Sequence, residues 1–194
     1  MTDTSNPIGQ SSAAKLWTVT SSRRLVSDRW LKLRADDCVT AEGAEVAPYY
    51  VLDYPDWVQV VAIDDQDHII LVEQYRHGLG DVTWELPAGA MDPSDSDPVA
   101  GAARELEEET GYGSDRWRYI ARMTPNPASQ SNHCHVILAT EASLRRAPVD
   151  DPKERLNVFR VPVAEAVSLA RSGKISCSMS IAALALALTD LGRW

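Results

Sequence analysis

The sequence predicts a mixed fold of strands and helices, either α+β or a mixed-sheet α/β sandwich. Short β-rich runs joined by hairpin-like turns fill the first part of the chain, and capped helices follow them. Few strand–helix–strand units occur, which argues against a doubly wound nucleotide-binding fold. The chain has 194 residues, the length of one domain, which is predicted over residues 15–194 after a flexible N-terminal tail at 1–14.

Strands are predicted where β-branched and aromatic residues run between polar or glycine-containing turns. The clearest hairpin signal joins two such runs across the polar residues 64–67. In chain order, the predicted strands cover residues 17–20, 30–38, 47–54, 57–63, 68–75, 83–86, 118–123, 133–138 and 156–161.

The first helix is predicted from the residues at its two ends. Asp97 is a good N-cap residue, Pro98 suits the first helical position, and Gly111 stands where a glycine commonly ends a helix. A loop rich in Pro, Gly and Asp is expected before it, at residues 87–97. Two further helices are predicted, at about 163–172 and 178–191.

Charge and composition exclude several classes of partner. Lys and Arg total 19 against 28 Asp and Glu, so the net charge is −9, whereas a nucleic-acid-binding face needs clustered basic residues. The longest apolar run, residues 181–188, is far shorter than the ~20 residues that cross a bilayer. Residues 1–14 lack a secretory-signal pattern and the 3 cysteines lack a paired spacing, so a reducing cytoplasm is the expected compartment.

The end of the first predicted helix carries a cluster of glutamates. At about 3.6 residues per turn, Glu105, Glu108 and Glu109 share one face, while Glu107 points away into water. A separate stripe is expected to face the core, and it consists of Val99, Ala102, Ala103, Leu106 and Thr110.

Like charges this close together on a helix repel one another. A hard divalent cation with oxygen ligands, such as Mg²⁺, relieves that repulsion and often binds substrate phosphates as well. Arg104 is placed to lock one of the carboxylates by a charge-assisted hydrogen bond. The alternative interpretation is a solvated acidic face without a ligand.

Residues 89–112 resemble the Nudix box, GX5EX7REUXEEXGU, in which U is a bulky apolar residue. The second half of the pattern, which begins at Arg104, matches in full. The first half departs from it, because one extra residue separates Gly89 from Arg104, and Asp95 or Ser96 stands where the pattern has its first Glu. This departure concerns the loop before the helix more than the predicted metal site.

Further segments resemble the ADP-ribose pyrophosphatase branch of the Nudix hydrolases, at residues 29–33, 73–76, 85–89 and 173–175. The resemblance implies an α/β/α sandwich and a homodimer, in which the N-terminal strands at about 15–55 help to build the partner's substrate site. It also implies hydrolysis of the pyrophosphate bond in a nucleoside diphosphate linked to a second group, with Mg²⁺ as cofactor and Mn²⁺ as a substitute. ADP-ribose or a nucleotide sugar is the expected substrate, giving a nucleoside monophosphate and a sugar phosphate.

For the metal, the resemblance implies a set of oxygen ligands. Glu105, Glu108 and Glu109, with the backbone carbonyl of Ala88, would hold Mg²⁺. Arg104 would orient the glutamate cluster.

For the substrate, the resemblance implies four contacts. Arg76 would contact the phosphates, and Glu85 would lie at the boundary between metal and substrate. Trp30 would stack on the nucleobase, with Tyr49 as its partner across the base. The alternatives are core burial for Trp30 and a surface salt bridge for Arg76.

The general base stays open between two candidates. The loop at residues 127–132 contains no acid, so a glutamate of the box is the first candidate and Glu154 is the second. His133 and His135 alternate along a predicted strand, and a packing or hydrogen-bonding role is favoured over metal binding. The missing loop acid and the altered first half of the box also leave an alternative function, a non-catalytic sensor that keeps the fold to bind a nucleotide. The intact glutamate set argues against it, because a sensor has no need of every ligand.

Overall fold

The computed structural model of the protein describes residues 16–149 and 155–194, and the predicted tail at 1–14 lies outside them. The strands are β1 (Thr18–Ser27), β2 (Lys32–Val39), β3 (Glu45–Leu52), β4 (Trp57–Asp64), β5 (His68–Arg76), β6 (Asp81–Glu85), β7 (Ala88–Ala90), β8 (Tyr112–Gly113), β9 (Arg116–Met123), β10 (Cys134–Leu144) and β11 (Leu156–Pro162). The helices are α1 (Pro98–Thr110), α2 (Val163–Arg171) and α3 (Ser178–Asp190).

The described residues fall into two compact units. The N-terminal unit contains residues 16–54 and 128–131, and the C-terminal unit contains the rest. In the N-terminal unit, β1, β2 and β3 form an antiparallel sheet in that order. That residues 15–194 act as one domain stays a prediction, as does a role of the N-terminal strands in dimer and substrate contacts.

The C-terminal unit is a sandwich of helices around a mixed sheet. The strands run in the order β11-β5-β4-β10-β8, with β4 and β10 parallel, while β6, β7 and β9 extend the sheet from β5, β4 and β10. Both faces of β4 are buried because alternate side chains pack on opposite helices. Val58 and Val60 pack with α1 residues such as Leu106, whereas Val61 packs with α3 residues such as Leu184. The predicted mixed fold class is therefore confirmed.

The central strands diverge toward one end of the sheet. In the described part of the chain, β4 and β5 pair only at Ile63 and Ile69. From there β4 continues with β7 and β5 continues with β6, so a cleft opens between the two strand pairs.

Both ends of α1 form as predicted. The Asp97 carboxylate accepts hydrogen bonds from the backbone N–H groups of Val99 and Ala100, each at 2.9 Å. Gly111 adopts a left-handed conformation with φ of 73°, and its N–H donates to the carbonyl of Glu107. These contacts satisfy backbone groups that a helix end otherwise leaves unpaired.

Several strands differ from the sequence-based predictions, and β10 for example extends to Leu144, past the predicted 133–138. β7 lies inside the predicted loop at 87–97, and β8 has only two residues, too few to show a periodic pattern. β1 extends to Ser27, well past the predicted 17–20. Its polar residues are exposed and do not alternate with apolar residues, so the sequence pattern does not indicate a strand there. Side chains on both strands secure the extension, since Ser21 and Arg23 bond to Asp37. No helix among the described residues has the length and apolar character needed to cross a bilayer.

Candidate active site

The acidic face of α1 is anchored by a buried apolar face. Ala102 and Leu106 are fully buried against the sheet, which fixes the rotation of the helix. The side chain of Glu105 is 13% exposed and that of Glu108 is 45% exposed. Glu107 lies on the exposed side of the helix, as expected, with a side chain that is 40% exposed. Its carboxylate lies 2.8 Å from Nε of Arg146, so it forms an ion pair on the surface.

Arg104 joins the helix to the loop that precedes it. Its Nη1 donates to Glu105 at 2.8 Å and to Glu108 at 3.2 Å. Its Nε and Nη2 donate to the two carboxylate oxygens of Asp95, at 3.1 and 2.9 Å, and Nη2 also donates to the carbonyl of Ala90. One cation therefore holds three carboxylates in place.

The same contacts explain the departure from the Nudix box. Hydrogen bonding to Arg104 lowers the pKa of Asp95 below its ordinary value, so this carboxyl stays charged. Hydrogen bonding to Asp95 is in turn the chief cause that raises the pKa of Arg104. Of the two residues that could replace the first Glu of the box, Asp95 is the one that contacts Arg104, whereas Ser96 bonds to Asp97.

Strand β7 lies directly against the carboxylates. The backbone N–H of Ala88 donates to Oε2 of Glu109 at 3.0 Å. A Cβ atom at Gly89 would lie 2.2 Å from the Glu105 carboxylate, so only glycine leaves room for it. The sequence ELPAG therefore brings the backbone of Ala88 and Gly89 next to two of the three predicted metal ligands.

The donor set fits a hard divalent cation. The side chains of Glu105, Glu108 and Glu109 and the carbonyl of Ala88 offer only oxygen ligands, which Mg²⁺ and Mn²⁺ prefer. Across residues 16–149 and 155–194, no three His, Cys, Asp or Glu side chains converge in a geometry that holds a metal ion. In this arrangement Arg104 holds Glu105 and Glu108, and the N–H of Ala88 holds Glu109.

A cavity of about 490 Å³ occupies the cleft between the diverging strand pairs. Arg76 and Glu85 line one wall, Ala88 and Gln59 line the other, and Cys177 just before α3 contributes to it. The structure thus brings together three of the predicted site residues, Arg76, Glu85 and Ala88.

Arg76 and Glu85 form a bidentate ion pair in this cavity. Arg76 donates from Nε and Nη2 to the two oxygens of Glu85, at 2.9 and 2.8 Å, and the Thr83 hydroxyl donates to Glu85 as well. Burial of Glu85 acts to raise its pKa, but the hydrogen bonds from Arg76 and Thr83 outweigh burial, and the pKa falls below its ordinary value. The Arg76 side chain is 44% exposed, so a buried anion holds a partly exposed cation at the cavity.

The two predicted base-stacking residues lie in the N-terminal unit. Trp30 is 74% exposed, so core burial, the alternative for this residue, is wrong. The guanidinium of Arg29 lies 4.0 Å from the centre of its ring. Tyr49 contacts Trp17 edge-to-face, with ring centres 5.8 Å apart, and its hydroxyl donates to the carbonyl of Ala128.

The remaining candidates have different outcomes. Glu154 lies outside the described residues. His133 and His135 both contact Asp56, since His135 Nε2 lies 3.1 Å from the carboxylate and the backbone N–H of His133 donates to it at 2.8 Å. Nδ1 of His135 lies 2.9 Å from the Tyr119 hydroxyl. These contacts agree with the hydrogen-bonding role that the sequence favours.

Several cavity residues were missed by the sequence reasoning, and Gln59 is the one that the sequence could have indicated. Gln59 is the single polar residue among the apolar residues of 57–63, and it lines the cavity beside Ala88. A polar side chain at a position that should be apolar was the available signal.

Comparisons with known proteins match both parts of the chain to family models. The model of the NUDIX domain matches residues 53–176, and the model of the nucleoside diphosphate sugar hydrolase N-terminal domain matches residues 17–52. These two matches meet close to Tyr54, where the two compact units divide.

Individual proteins are similar over most of the chain. ADP-ribose pyrophosphatase of Mycobacterium tuberculosis is 32% identical over 163 residues, which cover 84% of this chain and 78% of the relative. The CMP-5'-(N-acetyl-N-hydroxy-3-aminopropyl)phosphonate hydrolase of Streptomyces rubellomurinus is 30% identical over 176 residues, covering 91% and 84%. A crystal structure of an ADP compounds hydrolase superposes with a TM-score of 0.82 at 24% identity, covering 95% of this chain and all of that one, which establishes the shared fold.

Proposed function

Because the chain belongs to the Nudix hydrolase family, we propose that it hydrolyses the pyrophosphate bond of a nucleoside diphosphate linked to a second group. ADP-ribose or a nucleotide sugar is the proposed substrate, and a nucleoside monophosphate and a sugar phosphate are the products. The name of the relative from Mycobacterium tuberculosis supports ADP-ribose as the first compound to test.

One observation carries the proposal. Arg104 holds Glu105 and Glu108 on the face of α1, and β7 meets the same face at Glu109, at the edge of the cavity that contains Arg76. A concentration of carboxylates beside a cavity with a cation suits the binding of a metal ion together with an anionic substrate. The net charge of −9 therefore does not oppose an acidic substrate.

Arg76 is the proposed phosphate-binding residue. Its Nε and Nη2 are committed to Glu85, and within the described residues Nη1 donates to no protein group. Glu85 thereby orients the guanidinium so that Nη1 is left to meet a phosphate oxygen. Substrate binding therefore loses little conformational entropy at Arg76, because the bidentate pair with Glu85 has already ordered this long side chain.

Glu105, Glu108, Glu109 and the carbonyl of Ala88 are the proposed ligands of Mg²⁺, with Mn²⁺ as a substitute. When bound, a divalent ion neutralises the pyrophosphate and lowers the pKa of a water ligand. Arg104 keeps the carboxylates in position, and a glutamate of the box or Glu154 would accept the proton of the attacking water.

The remaining parts of the proposal concern the N-terminal unit and the assembly. Exposed Trp30 would stack on the nucleobase, with Tyr49 as its partner across the base, in a homodimer that acts in the cytoplasm. Light scattering of the purified protein tests the dimer, since a monomer at working concentration contradicts it.

Product analysis tests the reaction itself. The purified protein is incubated with a panel of nucleotide sugars and dinucleotides in Mg²⁺, in Mn²⁺ and in EDTA, and the products are separated by HPLC. We expect a nucleoside monophosphate from at least one compound with metal and none in EDTA. Nucleotide binding without turnover on the whole panel would contradict the proposal and support a sensor.

A further inference from the structure

Gln59 occupies an unusual place in the central strand of the sheet. It is only 7% exposed, and its neighbours along the same face of β4 are the buried Val61 and Ile63. Burying an amide costs free energy unless its polar atoms find partners. The position therefore needs an explanation that packing does not provide.

A chain of hydrogen bonds fixes one end of the Gln59 amide. The backbone N–H of Leu86 donates to Oγ of Ser180 at 3.1 Å, and the Ser180 hydroxyl donates to Oε1 of Gln59 at 3.2 Å. Ser180 lies on α3 and is fully buried. In this chain of bonds, Oε1 is the end of the amide that meets Ser180, which leaves Nε2 as the other end.

The other end of the amide belongs to the cavity. Within the described residues, Nε2 of Gln59 forms no hydrogen bond with a protein atom. The Gln59 side chain lines the cavity, and Nε2 is not one of the fully buried polar atoms that lack a partner. In the pairing of β4 with β7, Gln59 lies opposite Ala88, whose N–H holds Glu109. The Gln59 side chain thus lies beside the Ala88 backbone, on the same cavity as Arg76.

The chemistry of this donor selects its ligand. An amide N–H₂ can only donate, so its partner is an acceptor. We propose that Gln59 is a substrate-contacting residue that donates from Nε2 to a phosphoryl oxygen of the bound nucleoside diphosphate derivative. This inference rests on the proposed function.

Substitutions at position 59 test the oxygen and the nitrogen of the amide separately. Gln59→Glu keeps an oxygen for Ser180 but replaces the donor by a negative charge, so KM should rise roughly tenfold to 100-fold for every substrate. Gln59→Met, which is close in size, should raise KM roughly tenfold with a smaller change in kcat. Gln66→Glu, in the exposed β4–β5 turn, introduces the same charge change outside the cavity and should leave KM unchanged.

Two readouts keep this test separate from that of the proposed function. Turnover of the panel by the unsubstituted protein tests the function, and calorimetric binding of ADP-ribose and ADP in EDTA tests Gln59 without turnover. We expect weaker binding of both ligands by the folded Gln59→Glu protein, with folding checked by thermal melting. Equal binding by the two proteins, no binding of either ligand to the unsubstituted protein, or a KM change restricted to one nucleobase would overturn the inference.

Discussion

Two arginine–carboxylate clusters lie at opposite ends of β4 and differ in their balance of charge. At the start of the strand, Arg104 bonds to Asp95, Glu105 and Glu108, so one cation faces three anions. At the end of the strand, Arg160 pairs with Asp64, and the backbone N–H groups of Gln66 and His68 complete the bonds of that carboxylate.

The difference separates a candidate site from a structural pair. Asp64 is buried and fully bonded, so its cluster has no need of a further cation. The Arg104 cluster has an excess of negative charge beside a cavity, which a divalent cation would balance. Counting arginines and carboxylates in each cluster therefore indicates function better than the presence of an ion pair.

The largest expected effect comes from the carboxylates around Arg104. Glu108→Gln and Glu109→Gln should each reduce kcat roughly 100-fold or more, because each removes a charged oxygen ligand while keeping the size of the side chain. Glu107→Gln should keep nearly full activity, because Glu107 pairs with Arg146 on the surface. The rate of nucleoside monophosphate release in Mg²⁺ measures the difference.

The same variants test the charge argument without turnover. Mg²⁺ should raise the melting temperature of the unsubstituted protein and of Glu107→Gln, but not that of Glu108→Gln or Glu109→Gln. Equal activity and equal Mg²⁺ stabilisation across the three variants would place the metal elsewhere.

A second substitution changes the space around the cluster and leaves its charge intact. Gly89→Ala would put a Cβ atom 2.2 Å from the Glu105 carboxylate, so this side chain must move. Displacement of a ligand by about 1 Å should reduce kcat/KM roughly tenfold to 100-fold.

Gly78→Ala is the matched control, because a Cβ there meets nothing within 4 Å. It should retain its activity. If Gly89→Ala were as active as Gly78→Ala, the close approach of β7 to Glu105 would have no role in the reaction.

Much of the C-terminal unit could be predicted because its signals are local. The ends of α1 follow from Asp97, Pro98 and Gly111, each of which acts within one helical turn. β7 could not be predicted in this way, because its three residues form a strand only through pairing with β4. The same holds for β1, whose exposed polar residues depend on pairing with β2.

The candidate site was predictable where one helix or one motif carries it. Spacing alone places Glu105, Glu108 and Glu109 on one face of α1, and the motif supplies Ala88. The pairing of Arg76 with Glu85 joins two strands, and the link from Ser180 to Gln59 joins residues 121 positions apart. Contacts across such separations depend on the folded sheet and leave little trace in a local pattern.

The Arg160–Asp64 cluster, in which the charges balance, should affect stability and leave catalysis unchanged. Arg160→Met removes the only arginine or lysine side chain paired with Asp64 among the described residues and should lower the free energy of unfolding by about 1–3 kcal/mol, moderated by the partial exposure of Arg160. Urea denaturation measures this change. Activity of the folded variant should equal that of the unsubstituted protein, and a loss comparable to that of Glu108→Gln would contradict the comparison.

The smallest expected effect is a pH dependence of stability that belongs to Asp64. Burial acts to raise the pKa of this carboxyl, but bonds from the N–H of His68 and from Arg160 outweigh it, so the folded-state pKa lies below the unfolded value. A depressed pKa adds stability above the unfolded value of about 4, and this contribution is lost as the pH falls through the folded value. The urea midpoint of the unsubstituted protein should therefore decrease between about pH 4.5 and pH 2.5 more steeply than that of Asp64→Asn. Subtracting one profile from the other removes the shared titration of Asp95 and Glu85, and parallel profiles would show that Arg160 and the backbone donors do not stabilise the charged form of Asp64.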